Sequence, residues 1–301
     1  MKRLMQTRID TILSDYDGTL SPTNILRSNT ESIPRQLEEL LWGIAETIPV
    51  CIISSKDYHF LYNKAKFAWV LSCIMGIETI VLRRAKDSSI EIKKGSNNNV
   101  NLNSIKHRYL LPEIEEILKS NSVTLSRLAE NIESEFNDKV MVERKYTSDR
   151  QYLVGITIDY RHLKDWKLYK NKLELPLNEM IQKHKAVSPI PKSNLYIQKY
   201  SSHPFLDVYA VYCDKGMAFD LITTRILNHK HDEEISVLYL GDSENDNLAF
   251  RKASISVGII SDKRLTPKLD CRYLIEFKQL PGLLKYLVES KYIFSDNLLK
   301  V

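Results

Sequence analysis

Residues 9–19 read IDTILSDYDGT, and this stretch decides the fold. An apolar run of strand length occupies residues 9–14, and Gly18 predicts a turn directly after it. Asp15 and Asp17 then lie at the carboxyl end of a strand, where open α/β sheets bind ligands. One such carboxylate can attack phosphorus or hold a divalent cation, and the other can protonate a leaving oxygen. The alternative is an Asx-type turn with Asp17 at its corner.

A second apolar strand ends in a similar way at residues 49–57, PVCIISSKD. Two hydroxyls, a cation and an acid follow it. Ser54, Ser55 and the backbone N–H groups can hold a phosphoryl oxygen there, and Lys56 adds positive charge. The alternative is a helix N-cap made by Ser54, Ser55 or Asp57.

The third segment is residues 214–222, DKGMAFDLI, in which a lysine opens an amphipathic helix. A cation in the first turn opposes the helix dipole, so Lys215 is misplaced unless it binds an anion. A solvated surface lysine is the alternative, since lysine is mostly exposed in folded proteins.

The fourth segment is residues 235–247, ISVLYLGDSENDN, an apolar strand followed by Gly241 and a group of acids. Asp242, Glu244 and Asp246 repel one another unless a cation is near or all three face water. Hard oxygen ligands of this kind suit Mg²⁺. An acidic first turn of the next helix is the alternative, because the helix dipole favours it.

The four segments share one pattern of strand, abrupt end, polar loop and helix. In this pattern the chain resembles the haloacid dehalogenase-like superfamily of Mg²⁺-dependent phosphatases. The four motifs of that superfamily are matched in order by residues 15–19, Ser54, Lys215 and residues 241–246. The resemblance implies an α/β fold whose core is a Rossmann-like, doubly wound parallel sheet, with an inserted α+β cap domain.

The resemblance also implies roles for single residues. Asp15 is the expected nucleophile, forming an aspartyl-phosphate, and Asp17 the general acid and then base. Mg²⁺ is the expected cofactor, bound by the Asp15 carboxylate, the Asp17 main-chain carbonyl and Asp242, with Asp246 at or just outside the metal. Ser54 and Lys215 are expected to hold the transferring phosphoryl group. The full expected phosphate-binding set is Gly18, Thr19, Ser54, Ser55 and Lys215.

The spacing of the motifs predicts two domains. Motif-bearing segments lie within residues 1–83 and 201–301, so residues 84–200 are expected to form the inserted cap. Within it we expect a polar loop at residues 95–99, helices around 111–136 and 163–184, and strands around 140–144 and 151–159. The insertion has 21 Lys+Arg against 15 Asp+Glu, which accounts for the excess positive charge of the chain and favours an anionic ligand. A solvated helical surface explains the same charge.

A cap of this size resembles the larger α/β caps that accompany small sugar phosphates. Residues 53–57, ISSKD, and residues 207–216 look most like trehalose-6-phosphate phosphatases, whereas residues 241–246 are more typical of sucrose-phosphate and mannosyl-3-phosphoglycerate phosphatases. A phosphomutase of similar architecture, a non-catalytic binding protein and metal-dependent hydrolysis by another mechanism are the alternative functions. Candidates for contacts with the sugar hydroxyls or a second anionic group are Lys56, Asp207, Arg144, Lys145 and Arg150.

The composition predicts a cytoplasmic enzyme. Cys51, Cys73, Cys213 and Cys271 show no paired spacing for zinc, which is typical of buried thiols in a reducing compartment. The apolar stretch 67–82 is too short and too interrupted to span a bilayer. Basic residues are interleaved with acids, which is not the pattern of a nucleic-acid surface. The expected partner is therefore a small phosphorylated sugar, without nucleic acid or membrane, and the oligomeric state is open.

Overall fold

The computed structural model describes residues 6–22, 32–82, 105–111, 114–186, 195–200, 203–227, 234–260 and 267–295. The predicted polar loop at residues 95–99 lies outside these ranges. Within them, no helix is both long enough and apolar enough to cross a bilayer.

Three sheets are present in the described residues, and their strands are numbered in chain order. They are β1 (Gln6–Arg8), β2 (Thr11–Ser14), β3 (Val50–Ile53), β4 (Val70–Cys73), β5 (Glu78–Leu82), β6 (Ile105–Leu110), β7 (Met141–Tyr146), β8 (Leu153–Asp159), β9 (Tyr196–Lys199), β10 (Phe205–Tyr209), β11 (Val237–Gly241), β12 (Ile255–Ile260), β13 (Tyr273–Glu276) and β14 (Ile293–Ser295).

Both domains contain α-helices. They are α1 (Arg35–Ala45), α2 (Tyr58–Lys64), α3 (Glu115–Phe136), α4 (Trp166–Ala186), α5 (Lys215–Asp220), α6 (Asn247–Lys252) and α7 (Leu280–Glu289). Helix α5 continues as a π-helical turn, Leu221–Ile226. Short 3₁₀ turns occupy Ile74–Gly76, Asn137–Lys139, Glu244–Asp246 and Phe277–Gln279.

The largest sheet has eight strands in the order β13-β12-β11-β2-β3-β4-β5-β6. The first six are parallel, while β5 and β6 are added antiparallel. Its central strands are buried on both faces, which is why they are continuous apolar runs without alternation. The α/β class predicted from the sequence is confirmed.

Helices cover this sheet on both sides. Alternate strand residues contribute to two separate apolar clusters, as Ile12 and Leu13 of β2 show. Helices α1 and α7 supply Leu41 and Leu284 to the first cluster, and α5 and α6 supply Phe219 and Phe250 to the second. The core is therefore doubly wound, and its ligand-binding edge is the one where β2, β3 and β11 end.

The second domain is built on an antiparallel sheet in the order β7-β8-β10-β9. Helix α3 packs on it through residues such as Leu125, Leu128 and Ile132. The predicted helices and strands of the insertion are present within a few residues of their expected positions. We call this unit the cap.

Strand pairing places both domain boundaries later in the chain than the predicted residues 84 and 200. Strand β6 pairs with β5 at the edge of the core sheet, so the chain enters the cap only after Leu110. Strand β10 pairs with β8 and β9, so the chain leaves the cap only after Tyr209. The pairing of β10 with β9 is a local hairpin, whereas its pairing with β8 joins Leu206 to Ile158, far apart in sequence.

Candidate active site

The loops after β2 and β11 and the start of α5 bring four of the predicted residues together. The backbone N–H of Asp15 donates to the carbonyl of Leu240 at 2.9 Å, which continues the pairing of β2 with β11. One carboxylate oxygen from each of Asp15, Asp242 and Asp246 lies within 4.8 Å of the others. The Lys215 ammonium lies 3.0 Å from Asp15 and 2.7 Å from Asp246. The predicted acid cluster and the predicted lysine therefore form one buried constellation.

Lys215 is fully buried at the first position of α5, after the N-cap Asp214. Burial alone would lower its pKa, but the carboxylates of Asp15 and Asp246 outweigh that effect and raise it above the usual value. Lys215 is consequently a permanent cation whose charge is directed at Asp15 and Asp246 rather than at solvent.

Asp246 accepts hydrogen bonds from five donors. Lys215 and the Tyr239 hydroxyl, at 2.7 Å each, donate to Oδ1. The backbone N–H of Asp242 and both the N–H and hydroxyl of Ser243 donate to Oδ2. A carboxylate has about four lone-pair positions, so all those of Asp246 are used. Its position favours fixing Lys215 and the loop over binding a cation directly.

Asp15 and Asp242 form the other half of the cluster, with their carboxyl groups in hydrogen-bond contact. Burial, opposed by Lys215, raises the pKa of Asp15 from 3.8 to about 7. Burial and the neighbouring Asp15 and Asp246 raise the pKa of Asp242 well above its usual range. Two carboxyls placed in this way share a proton unless a cation lies between them. Their hard oxygens and short separation fit Mg²⁺, which commonly takes one or two carboxylates and keeps several waters.

The turn after Asp15 leaves space for Asp242 because of a glycine. Gly18 has φ +79°, and a Cβ added there would lie 1.9 Å from Oδ2 of Asp242. Asp17, just before it, is a quarter exposed and lies near Lys56, which also contacts Glu143 of the cap; we call the space between this turn and the cap the cleft. The hydroxyls of Thr19 and Ser21 are buried without a hydrogen-bond partner. The turn therefore offers polar groups for which the described residues provide no partner.

The loop after β3 carries Ser54, Ser55 and Lys56 to the same edge. The Ser54 hydroxyl accepts from the N–H of Lys56 at 3.2 Å, which leaves its own proton available to a phosphoryl oxygen. Ser54 and Lys56 are buried, and Ser55 is half-buried. Of the three residues considered as a helix N-cap, Asp57 is the one that caps α2. Its side chain accepts a hydrogen bond from the N–H of Phe60.

A strained turn holds this loop in place. Ile74 and Met75 have φ +52° and +57°, and Gly76 has φ +94°. The N–H groups of Ile74 and Met75 donate to the carbonyls of Lys56 and Ser54, both at 2.9 Å. Left-handed backbone at a β-branched residue is rare and persists only where surrounding contacts impose it. Such strain is concentrated at functional sites.

The cap contributes a polar face to the cleft. Glu143 of β7 accepts from the Lys56 ammonium at 3.1 and 3.2 Å, and Lys56 also lies 3.8 Å from Oδ2 of Asp17. Sequence reasoning missed Glu143. The alternation of a strand could have found it, since Glu143 and Lys145 occupy one face of β7 and Arg144 the other.

Asp207 is a buried junction of four donors inside the cap. Lys145, at 3.2 Å, and the Thr157 hydroxyl donate to Oδ1, and the hydroxyls of Tyr200 and Tyr209 donate to Oδ2 at 2.7 and 3.1 Å. No acceptor position remains for a sugar hydroxyl. Asp207 therefore positions its neighbours, Lys145 above all, whose ammonium lies 5.3 Å from the centre of the Tyr209 ring.

Further polar contacts among the described residues join the cap to the core. The N–H of Tyr146 donates to Asp57. Ser148 donates its N–H and hydroxyl to the buried Glu78, which also pairs with Arg108. The amide of Asn245 donates to the Tyr200 hydroxyl at 3.3 Å and so joins the acidic loop to the cap. Sequence patterns gave no indication of Tyr200 or Asn245 as contact residues.

Two of the predicted substrate residues lie elsewhere. Arg144 makes a two-pronged ion pair with Glu133 of α3, at 2.6 and 2.8 Å, on the opposite side of the cap sheet. Arg150 is exposed in the turn between β7 and β8, with φ +58°. Of the five candidates, Lys56 and Lys145 have ammonium groups on the cleft side, and Asp207 lies behind Lys145.

No protein-family model matches the sequence, and no curated protein matches it. Solved structures do match over nearly the whole chain. A trehalose-6-phosphate phosphatase related protein has a TM-score of 0.63 and 13% identity, covering 93% of this chain and 98% of its own. The C-terminal domain of the C. albicans trehalose-6-phosphate phosphatase has a TM-score of 0.63 and 17% identity, covering 94% and 93%. A haloacid dehalogenase-like hydrolase from Bacteroides thetaiotaomicron has a TM-score of 0.54 and 14% identity, covering 93% and 100%.

The chain has the haloacid dehalogenase-like fold. The matches cover more than nine-tenths of the chain, so the likeness extends over cap and core together. Lys56 lies between Asp17 of the core and Glu143 of the cap, so the cleft is bordered by the loop after β2 and by the cap sheet.

Proposed function

We propose that the chain is a Mg²⁺-dependent phosphatase that hydrolyses a sugar-phosphate monoester through an aspartyl-phosphate on Asp15. The observation that carries this proposal is the buried Asp15 carboxylate, held between the Lys215 cation and the Asp242 carboxyl at a strand end. A nucleophile in that environment needs a further cation to be ionised near neutral pH, and Mg²⁺ held by Asp15 and Asp242 would supply it.

The proposed reaction has two steps. An oxygen of Asp15 attacks phosphorus, the bond from phosphorus to the sugar oxygen breaks, and Asp17 gives its proton to that oxygen. Asp17 then takes a proton from water as the water attacks the phosphoryl group on Asp15, releasing inorganic phosphate. Lys215, the loop with Ser54 and Ser55, and the turn around Gly18 and Thr19 would hold the phosphoryl oxygens.

Mg²⁺ would be held by the Asp15 and Asp242 carboxylates and the Asp17 main-chain carbonyl, and it would neutralise charge on the phosphoryl oxygens. Asp246 would stand behind this set, because its acceptors are already used by Lys215, Tyr239 and the loop N–H groups.

Trehalose 6-phosphate is the best candidate substrate. Two structures of similar shape are named for trehalose-6-phosphate phosphatases, and the ISSKD segment resembles that group. Sucrose-phosphate and mannosyl-3-phosphoglycerate are the alternatives among phosphatases, and a sugar phosphomutase is the alternative among transferases. We also propose a cytoplasmic location, which the four free cysteines support.

A phosphate-release screen over sugar monophosphates, with Mg²⁺ and with chelator, tests the proposal. We expect inorganic phosphate to accumulate only with Mg²⁺, and Asp15→Asn to abolish it while the chain stays folded. Beryllofluoride should form a stable adduct with the wild type and not with the variant. Release that persists in Asp15→Asn, or interconversion of sugar phosphates without release of phosphate, would refute the phosphatase.

A further inference from the structure

Three lysines are buried among the residues that the structure describes, and each pairs with a carboxylate. Lys215 pairs with Asp15 and Asp246, which the phosphoryl chemistry explains. Lys145 pairs with Asp207, and Lys56 with Glu143. The last two pairs include the cap residues Glu143, Lys145 and Asp207, beside which the leaving group of a bound phosphate ester would be placed.

The pair between Lys56 and Glu143 bridges the two domains. Both oxygens of Glu143 lie within 3.2 Å of the ammonium, whose side chain is only 3% exposed. The ring of Phe60, 4.9 Å away, covers it further. Without Glu143, Lys56 would be a buried cation with only Asp17 as a more distant counter-ion, and hence an attractive site for an anionic ligand group.

Lys145 is equally unavailable to a second anion. Its side chain is 1% exposed, and its partner Asp207 is fixed by two tyrosine hydroxyls and a threonine. A carboxylate or second phosphate that binds beside Lys145 would lose its hydration shell close to the carboxylates of Glu143, Asp207 and Asp17. The buried cations that could compensate for that loss are already paired.

We infer that Glu143 is a specificity-determining residue that makes the cleft select a phosphate monoester with an uncharged, hydroxyl-rich leaving group. This inference rests on the proposed phosphatase and narrows its substrate class. It favours disaccharide monophosphates over mannosyl-3-phosphoglycerate, whose leaving group carries a carboxylate. It also disfavours a phosphomutase that passes through a sugar bisphosphate, since a second phosphate would need a cation of its own.

Competition against hydrolysis of p-nitrophenyl phosphate tests the inference on the Mg²⁺-loaded full chain. The competitors are methyl glucoside 6-phosphate, trehalose 6-phosphate and glucose 1,6-bisphosphate, which differ in a neutral or an anionic substituent at C1. We expect the bisphosphate to have an inhibition constant at least tenfold higher than either neutral compound, given the usual contribution of a charge-assisted contact.

The variant Glu143→Gln keeps the shape of the side chain and releases the charge of Lys56. We expect this variant to lower the inhibition constant of glucose 1,6-bisphosphate about tenfold, relative to the inhibition constants of the two neutral compounds. Glu133→Gln is the matched control, because Glu133 pairs with Arg144 on the other side of the cap sheet, and it should leave the ratio unchanged.

The outcomes separate the two proposals. Absence of Mg²⁺-dependent phosphate release from p-nitrophenyl phosphate and from every sugar monophosphate of the screen would refute the phosphatase itself. Where only a sugar monophosphate is hydrolysed, that compound replaces p-nitrophenyl phosphate in the competition. Hydrolysis with equal inhibition constants, with tighter binding of the bisphosphate, or with no competition by any sugar phosphate would overturn the charge selection while leaving the phosphatase intact. The wild-type ratio decides this even if Glu143→Gln does not fold.

Discussion

Replacing Gly18 by alanine should separate the acidic cluster from the nucleophile loop. The new Cβ would lie 1.9 Å from Oδ2 and 2.5 Å from Cγ of Asp242. Ordinary contact begins at 3.4 Å, so the two groups must separate by about 1.5 Å. The left-handed backbone of residue 18 adds a cost of about 1–2 kcal/mol for any residue with a Cβ.

The displacement should affect catalysis more than folding. Asp242 is tied through its N–H to Asp246, so the movement falls mainly on its carboxylate and on the turn that carries Asp17. A misplacement of about 1 Å can cost about a hundredfold in rate, which corresponds to about 2.7 kcal/mol in the barrier. We expect kcat/KM to fall at least a hundredfold, the Mg²⁺ requirement to rise, and the free energy of unfolding to fall by about 1–3 kcal/mol.

Steady-state phosphate release at increasing Mg²⁺, together with thermal unfolding, measures both effects. Gly43→Ala in α1 is the matched control, since no atom lies within 4 Å of its added Cβ. It should stabilise the chain by about 0.5–1 kcal/mol, because alanine is the better helix former, and leave turnover unchanged. A Gly18→Ala enzyme with wild-type kcat/KM at saturating Mg²⁺ would show that Asp242 does not need its observed position.

Three further substitutions test the site. Asp15→Asn should abolish phosphate release yet stabilise the metal-free chain at pH 8 by roughly 2–4 kcal/mol. Because the folded-state pKa is raised from 3.8 to about 7, wild-type stability is lost as pH rises through that interval, and the gap should close toward pH 4 in chelator-treated melts. Asp207→Asn should cost about 3–5 kcal/mol in denaturant unfolding, since Lys145 loses its buried partner; a cost under 1 kcal/mol would contradict the junction role. Arg144→Gln should change stability by less than about 1 kcal/mol and kcat/KM by less than about threefold, and a larger loss of activity would return Arg144 to the cleft.

Local patterns were enough to predict which loops meet at one edge of the core sheet. Each motif follows an apolar strand, and parallel strands end at one edge of a sheet, so Asp15 and Asp242 had to meet once β2 and β11 paired. The misplaced Lys215 was a usable signal because a cation at a helix start needs an anion. In the structure, the carboxylates of Asp15 and Asp246 are the anions that pair with Lys215.

Other features depend on contacts that no local pattern records. Strand β6 has three basic residues at its centre and no fully buried residue, and only its pairing with β5 assigns it to the core. The left-handed Ile74 contradicts the preference of a β-branched residue, and tertiary contacts impose it. Arg144 and Lys145 are adjacent basic residues that were both chosen for their charge. Because side chains alternate along β7, the two lie on opposite faces of the cap sheet, which charge alone does not predict.

The position of β2 between β11 and β3 has a consequence for how the chain folds during synthesis. Asp10, just before β2, accepts from the N–H of Ser236, which is made 226 residues later. At about 5–20 residues per second, β2 waits roughly 10–45 s with one edge unpaired after the ribosome has made it. Strand β3 is made soon after β2 and can cover one edge early. The other edge of β2, the strand that leads into Asp15, therefore stays exposed to misassociation until β11 is made. We expect ribosome-bound chains that stop before β11 to depend on chaperones that cover this edge.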